Sequence, residues 1–307
     1  TVRRFIFSLA EYEAKTPEWH SEAPGDGQPG IPMLMISDLH WGETVTLEQV
    51  NGLNSYDQEI AERRLTRLFD RAIYLCTKTL SKPQFPGLIV LLGGDMFSGD
   101  IHEELSRTNE APVMRSLLNL FDHMVYGLNK LIAAFGKVTV YTAFGNHGRT
   151  THKPVHKDAA YTNFDWLLYV MLERHFAHTN KNITFNVQNS FDAIFDVYNT
   201  GFCLTHGDRL GSGGGDGVIG IFGPVTRGVA RIKTNYANLG VKVDSVVVGH
   251  FHRYTPTADF IVNGSGKGYD EYAMSNRLRP EKPIQALWLV HPRYGITFHM
   301  PVFLEDK

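Results

Sequence analysis

The sequence holds only two cysteines among 307 residues, Cys76 and Cys203. That is too few for a disulfide framework or a thiolate metal site, and their apolar settings predict buried free thiols in a reducing compartment. No apolar run approaches the roughly 20 residues a membrane span requires. The opening Thr-Val-Arg-Arg-Phe-Ile lacks the length and cleavage pattern of a signal peptide, so a cytoplasmic protein with no membrane partner is expected. Charge excess is missing as well. At a net charge of -2 nothing announces a nucleic-acid binder globally, and such a function would need a local basic patch. Internal repeats and low-complexity tracts are absent. What remains, 43% hydrophobic and 20% charged, is a folded globular composition with length for one large domain or two modest ones.

Residues 1–30 begin apolar and basic and pass into Ser-Glu-Ala-Pro-Gly-Asp-Gly-Gln-Pro-Gly, which reads as an arm leading into the core. The chain opens on Thr1, which leaves open an N-terminal module outside this sequence. Residues 31–307 read as one domain. The apolar runs 31–36, 88–92 and 138–141 predict strands covered on both faces. Helical periodicity fills 57–80, 111–134 and 161–178, with Arg63, Arg64, Arg67 and Arg71 read as the solvated surface of the first helix. This alternation predicts an α/β fold with right-handed crossovers and a parallel sheet. Beyond it, the shorter runs 183–187, 191–198 and 201–204 have the texture of antiparallel strands. The glycine-rich stretch 211–217 lacks the Gly-Lys-Ser/Thr ending of a phosphate-cradling loop and reads as a mobile active-site flap. Residues 218–239 are partly helical, and further strands are expected at 244–248, 260–262, 284–290 and 296–299. Two half-sheets packed face to face and covered by helices account for the whole pattern.

Five polar clusters follow apolar runs. They are Asp38-x-His40, Gly94-Asp95, Gly145-Asn146-His147, His206-Gly207-Asp208 and Gly249-His250-Phe251-His252. In an open sheet such strand ends meet at one edge, where ligands bind. Their oxygen and imidazole donors, without thiolate, suit Mn, Fe, Zn or Ni. Seven candidate ligands exceed the needs of one ion. A pair about 3.5 to 4 Å apart accommodates them and serves in-line displacement at phosphorus.

This ordered set resembles the calcineurin-like metallophosphoesterase superfamily, whose pattern is Asp-x-His, Gly-Asp, Gly-Asn-His, His, Gly-His-x-His, and the resemblance runs from Asp38 to His252. It implies a four-layer sandwich of two central mixed β-sheets flanked by helices. It also implies that Asp38, His40, Asp95 and His252 hold one metal, and that Asp95, Asn146, His206 and His250 hold the second, with Asp95 bridging. A hydroxide shared by the ions would be the nucleophile. His147 would be the general acid for the leaving alkoxide or would stabilise transition-state charge. Two divalent ions are expected, Mn first, with Fe, Zn, Ni or Mg as alternatives. The sequence departs from the family where Gly148 and Arg149 replace the usual Asp or Glu after Gly-Asn-His. Asp100, Asp158 and Asp208 are candidates to orient His147 instead. Arg149 reads either as a phosphate ligand, for which its planar fork is suited, or as a surface arginine.

The His152, Lys153, His156, Lys157 stretch, the glycine flap and the basic segment 227–233 favour an extended polyanionic substrate. Trp41, next to His40, either stacks on a base or packs against the first loop. In texture the chain is similar to DNA-processing phosphoesterases of the SbcD type and to related phage-encoded proteins. The expected function is a metal-dependent nuclease or phosphodiesterase acting on DNA. The runner-up is a phosphatase or phosphodiesterase for a small nucleotide or phosphoprotein. A third reading, an inactive nucleic-acid-binding scaffold, is disfavoured because no metal ligand is missing. A homodimer would accord with the resemblance.

Overall fold

Strands without a polar face must be covered on both sides, and three such strands start the chain. In the computed structural model, which describes residues 30–80, 84–211 and 221–306, β1 (Ile31–Ile36), β2 (Leu88–Leu92) and β3 (Val138–Thr142) are buried at every position. The strands that follow are β4 (Ile183–Asn186), β5 (Asp192–Val197), β6 (Thr200–Thr205), β7 (Ser245–Val248), β8 (Thr255–Pro256) and β9 (Phe260–Val262). The last four are β10 (Ile284–Gln285), β11 (Leu287–His291), β12 (Gly295–His299) and β13 (Val302–Phe303). The helices are α1 (Gln58–Tyr74), α2 (Glu103–Thr108), α3 (Val113–Phe135), α4 (Phe164–Thr179), α5 (Phe222–Ala237) and α6 (Glu271–Ser275).

Local chemistry sets the helix ends. Asp57 caps α1 by accepting the Ile60 N–H at 2.7 Å, and α3 stops at Gly136, whose φ of 77° an L side chain rarely adopts. The helices carry the chain between strands that run parallel, β1 with β2 and β2 with β3. The first sheet has the order β12-β11-β1-β2-β3-β4 and the second β5-β6-β7-β9-β8, so both are mixed. The antiparallel expectation for 183–187 is corrected: β4 pairs parallel with β3, because α4 returns the chain as a crossover. The expected strand 284–290 is divided, and β10 leaves the first sheet to pair with β13.

Alternation within the strands builds the layers. Leu34 and Ile36 of β1 face a core shared with Leu65 and Leu68 of α1, Leu128 of α3 and Leu172 of α4. Met33 and Met35 face the other way, into a core shared with Phe195, Phe202, Leu204 and Val247 of the second sheet. A third core joins Cys203, Val246 and Val248 to Val225 and Val229 of α5. Three cores between successive layers make a four-layer sandwich of two mixed sheets flanked by helices, as expected. Cys76 and Cys203 are buried free thiols. Among the described residues no helix is long and apolar enough to cross a membrane. Residues 1–29 of the expected arm and 212–217 of the expected flap lie outside the described residues.

One of the four helix arginines departs from the solvated reading. Arg64 is 2% exposed, and its guanidinium donates to the carbonyls of Gly266 and Lys267, to Asn54 Oδ1 at 2.7 Å and to Glu305 at 2.9 Å. It fastens α1 to the 266–267 segment, whose Gly266 N–H donates to the Asp38 carbonyl at 3.0 Å.

Candidate metal centre

The five clusters meet where β1, β2, β3, β6 and β7 end. Of the ten non-glycine residues with positive φ among those described, five are Asp38, Asp95, His40, His250 and His252. Left-handed backbone costs an ordinary residue about 1 kcal/mol or more, and its concentration on these positions marks loops held in place for their side chains. Two donor groups result. Asp38, His40 and His252 form one, and Asp95, His206 and His250 the other, with ligand atoms in each within 4.8 Å of one another.

In the first group His40 Nε2 lies 3.0 Å from His252 Nε2, which lies 3.4 Å from Asp38 Oδ1. In the second, His206 Nε2 lies 3.0 Å from Asp95 Oδ2 and 3.2 Å from Asn146 Oδ1. Ligands at about 2.0 to 2.2 Å from a common ion stand roughly 3.0 to 3.5 Å from each other, so both groups have the spacing of a coordination shell. The residues fit the two divalent ions implied by the sequence, and the sulfur-free donors fit the harder metals.

Electrostatics favour ligation at His40 and His250. Burial, with the charge of Lys267 and His147 adding to it, lowers His40 to about 4. Burial and the charge of His206 lower His250 to about 4. Both imidazoles are therefore neutral at pH 7, the state that ligates metal. Burial opposes ionisation of Asp38 and Asp95, but the histidines around them prevail and hold both carboxyls below their ordinary range. Burial likewise opposes charge on His206, and Asp95 outweighs it and raises His206. The charge of Asp95 also acts on Asp38 and is acted on by His40, so the two groups are electrostatically linked through it.

Surrounding bonds fix each ligand. The Asp38 carboxylate accepts from the Ser37 hydroxyl and, at 2.8 Å, from the His250 N–H. Asn263 donates to Ser37 Oγ at 2.9 Å, extending this support into the second sheet. His206 Nδ1 sits 2.8 Å from the Gly93 carbonyl, which fixes its tautomer and leaves Nε2 for the centre. His40 Nδ1 faces Glu43 Oε2 at 3.4 Å. Glu43 is itself bound by the buried Lys267 ammonium at 2.7 Å, and Lys267 reaches Asp270 at 2.6 Å.

His147 lies at the rim, its ring 4.6 Å from that of His40. None of Asp100, Asp158 and Asp208 orients it in this structure; its Nδ1 is 2.9 Å from the Ser98 carbonyl, which takes that role. The missing carboxylate after Gly-Asn-His has a physical counterpart. Asp165, at the head of α4, accepts the N–H groups of Asp95 (2.9 Å), Met96 (3.1 Å) and Gly145 (2.8 Å), pinning two clusters together. A Cβ on Gly148 would fall 2.5 Å from Asn163 Oδ1 and 2.9 Å from Asp165 Cγ, so position 148 must be small. Burial and the charge of Asp95 raise Asp165 to about 7.

Arg149 joins neither donor group and bonds the carbonyls of Thr151 and His152, both at 3.2 Å. Trp41 is 1% exposed and donates to Asn119 Oδ1 of α3 at 2.8 Å, so it is buried against that helix and the base-stacking alternative is withdrawn. Sequence reasoning missed Asp165, Glu43, Lys267 and Asn263. Only Asp165 left a trace: Asn163, two residues before it, caps a helix by accepting its N–H at 2.8 Å.

No family model and no curated protein matches the chain. Among solved structures it is similar to a dimetal phosphatase from Danio rerio, at 10% identity and a TM-score of 0.42, covering 91% of this chain and 100% of that one. It is also similar to a Vps29 single mutant from Entamoeba histolytica, at 12% identity and 0.35, covering 89% and 99%. A third is a predicted phosphoesterase from Streptococcus pneumoniae, at 9% identity and 0.33, covering 88% and 96%. Such likenesses concern the chain trace, and the chemistry of the centre rests on its own donor geometry.

Proposed function

We propose that the chain is a dinuclear metal-dependent phosphodiester hydrolase that cleaves DNA. The observation that supports it most is the pair of donor groups, Asp38, His40, His252 and Asp95, His206, His250, at one sheet edge. Asp38, His40 and His252 would hold one ion and Asn146, His206 and His250 the other, with Asp95 serving both. When bound, two such ions supply Lewis acidity and an activated water for attack on phosphorus.

The remaining work falls to the protein. A carbonyl oxygen only accepts, so the Ser98 contact keeps the proton of His147 on Nδ1. Nε2 then carries a proton only in the imidazolium, which delivers it to the leaving alkoxide. Arg149, Lys153, His156 and Lys157 lie on the loop that follows His147, and Arg209 reaches that loop at His156 and Val155, a local basic segment that the net charge of -2 does not announce. A polyanion is the substrate such a segment favours.

The test is cleavage of single- and double-stranded DNA with Mn²⁺, lost in Asp95→Asn and His250→Ala. Cleavage confined to bis-p-nitrophenyl phosphate or a cyclic nucleotide would overturn the DNA assignment. DNA binding with no hydrolysis of any diester would favour a scaffold. His147→Ala should keep its metal content and lose turnover, and loss of both would make it a ligand or structural residue.

A further inference from the structure

Beside the metal centre lies a small recess lined by residues that include Phe144, Asn146, Arg149, Phe191, Asp208 and Arg209. Asn146 lies 3.2 Å from His206 of the second donor group, so the recess adjoins that group. Its two guanidiniums come from different parts of the chain and are both set in place. The Arg209 fork lies 3.7 Å over the centre of the Phe191 ring, which fixes its plane. It also approaches His156 Nδ1 at 3.2 Å and donates to the Val155 carbonyl at 3.3 Å. Arg149 is fixed through its backbone, which bridges Asn163 immediately before α4, and through its two carbonyl bonds. Two cations thus flank a single carboxylate, Asp208, which approaches Arg209 Nε at 3.8 Å. The recess keeps an excess positive charge next to a centre already built for a phosphate.

From this juxtaposition we propose that Arg149 and Arg209 form a second anion site, which takes a phosphate of the substrate adjacent to the one being cleaved. The inference rests on the phosphodiester hydrolase reading and deepens it. A planar fork held flat on an aromatic ring can turn its remaining N–H groups to phosphate oxygens at little further entropic cost. On DNA the occupant is the neighbouring backbone phosphate. On a nucleoside diphosphate it would be the second phosphoryl group.

The variants are Arg209→Gln, which removes the charge and the fork, and Arg209→Lys, which keeps the charge. With Mn²⁺, the ratio of kcat/KM for a short oligonucleotide to kcat/KM for bis-p-nitrophenyl phosphate should fall at least about tenfold in Arg209→Gln and less in Arg209→Lys. Equal losses on both substrates would overturn the proposal and make Arg209 a structural residue. Binding supplies an independent readout. With Ca²⁺ in place of Mn²⁺, the slope of log K against log salt for a single-stranded oligonucleotide should lose about 0.7 in Arg209→Gln, one phosphate contact. An unchanged slope sinks the DNA version. If the wild type neither binds nor cuts DNA, the DNA reading fails by itself. In that case the second site stands only if ADP inhibits bis-p-nitrophenyl phosphate hydrolysis and Arg209→Gln weakens the inhibition about tenfold; unaltered inhibition removes it.

Discussion

In the first donor group His40 is braced by side-chain charges, whereas in the second Asp95 and His206 are braced by backbone groups. Behind His40 stands the buried Glu43, Lys267, Asp270 triad, in which Glu43 and Lys267 are 224 residues apart in sequence. Behind Asp95 stand the amide of His147 and the three amides gathered by Asp165. The difference teaches that one donor group depends on charge balance and the other on loop geometry. They should therefore fail differently when disturbed.

The largest effect is expected where the two meet. Asp95→Asn should reduce turnover to background and bring bound metal, measured by elemental analysis, from two ions towards none. Next is Asp165→Ala, which strands three buried N–H donors at roughly 1 kcal/mol or more each and should lower stability by about 3 kcal/mol or more in urea unfolding. Lys267→Met should cost a similar ~3 to 5 kcal/mol by leaving Glu43 and Asp270 unpaired. If its metal content fell equally for both ions, the claim that the triad serves one group would be wrong. Glu43→Gln is milder. It should weaken one ion about 10- to 100-fold while sparing the other, and single replacements His252→Ala and His250→Ala should remove different ions.

The smallest effect is on pH dependence. Burial opposes ionisation of Glu43 and Asp270, but Lys267 outweighs it, so both carboxyls titrate below their ordinary values in the folded protein. Their contribution is complete above about pH 4, the unfolded value, and disappears as pH falls through the folded values. Urea midpoints should decline below about pH 4, and Lys267→Met should flatten that decline. An unaltered slope would detach the triad from acid stability.

The legible part of the centre was the part written locally. Asp38, His40, Asp95, Asn146, His206, His250 and His252 each follow a strand directly, so hydrophobic runs and short spacings located them. The bracing residues carry no such signal. Lys267 sits in a glycine-rich loop, and nothing near it says that its ammonium crosses to Glu43. Arg64 misled for the same reason, since helical periodicity describes a face and not what a distant loop brings to it. Trp41 left two readings open until Asn119 of α3 was seen to hold its indole. The parallel pairing of β4 depended on the path of α4, which runs of four residues do not encode.

Gly145 and Gly249 carry a wider consequence. A Cβ at Gly145 would stand 2.1 Å from Asp95 Oδ1, and one at Gly249 would stand 2.4 Å from Asp38 Oδ2. Each carboxylate thus rests directly on the main chain of a neighbouring motif, and Asp38 does so across the boundary between the sheets. Donors from β1, β2 and β3 are interlocked with donors from β6 and β7, so the centre works as a rivet through the sandwich. Opening the sheets must dismantle the shell, and any ion bound there will raise the melting temperature with its concentration, as a ligand does when it binds only the closed form.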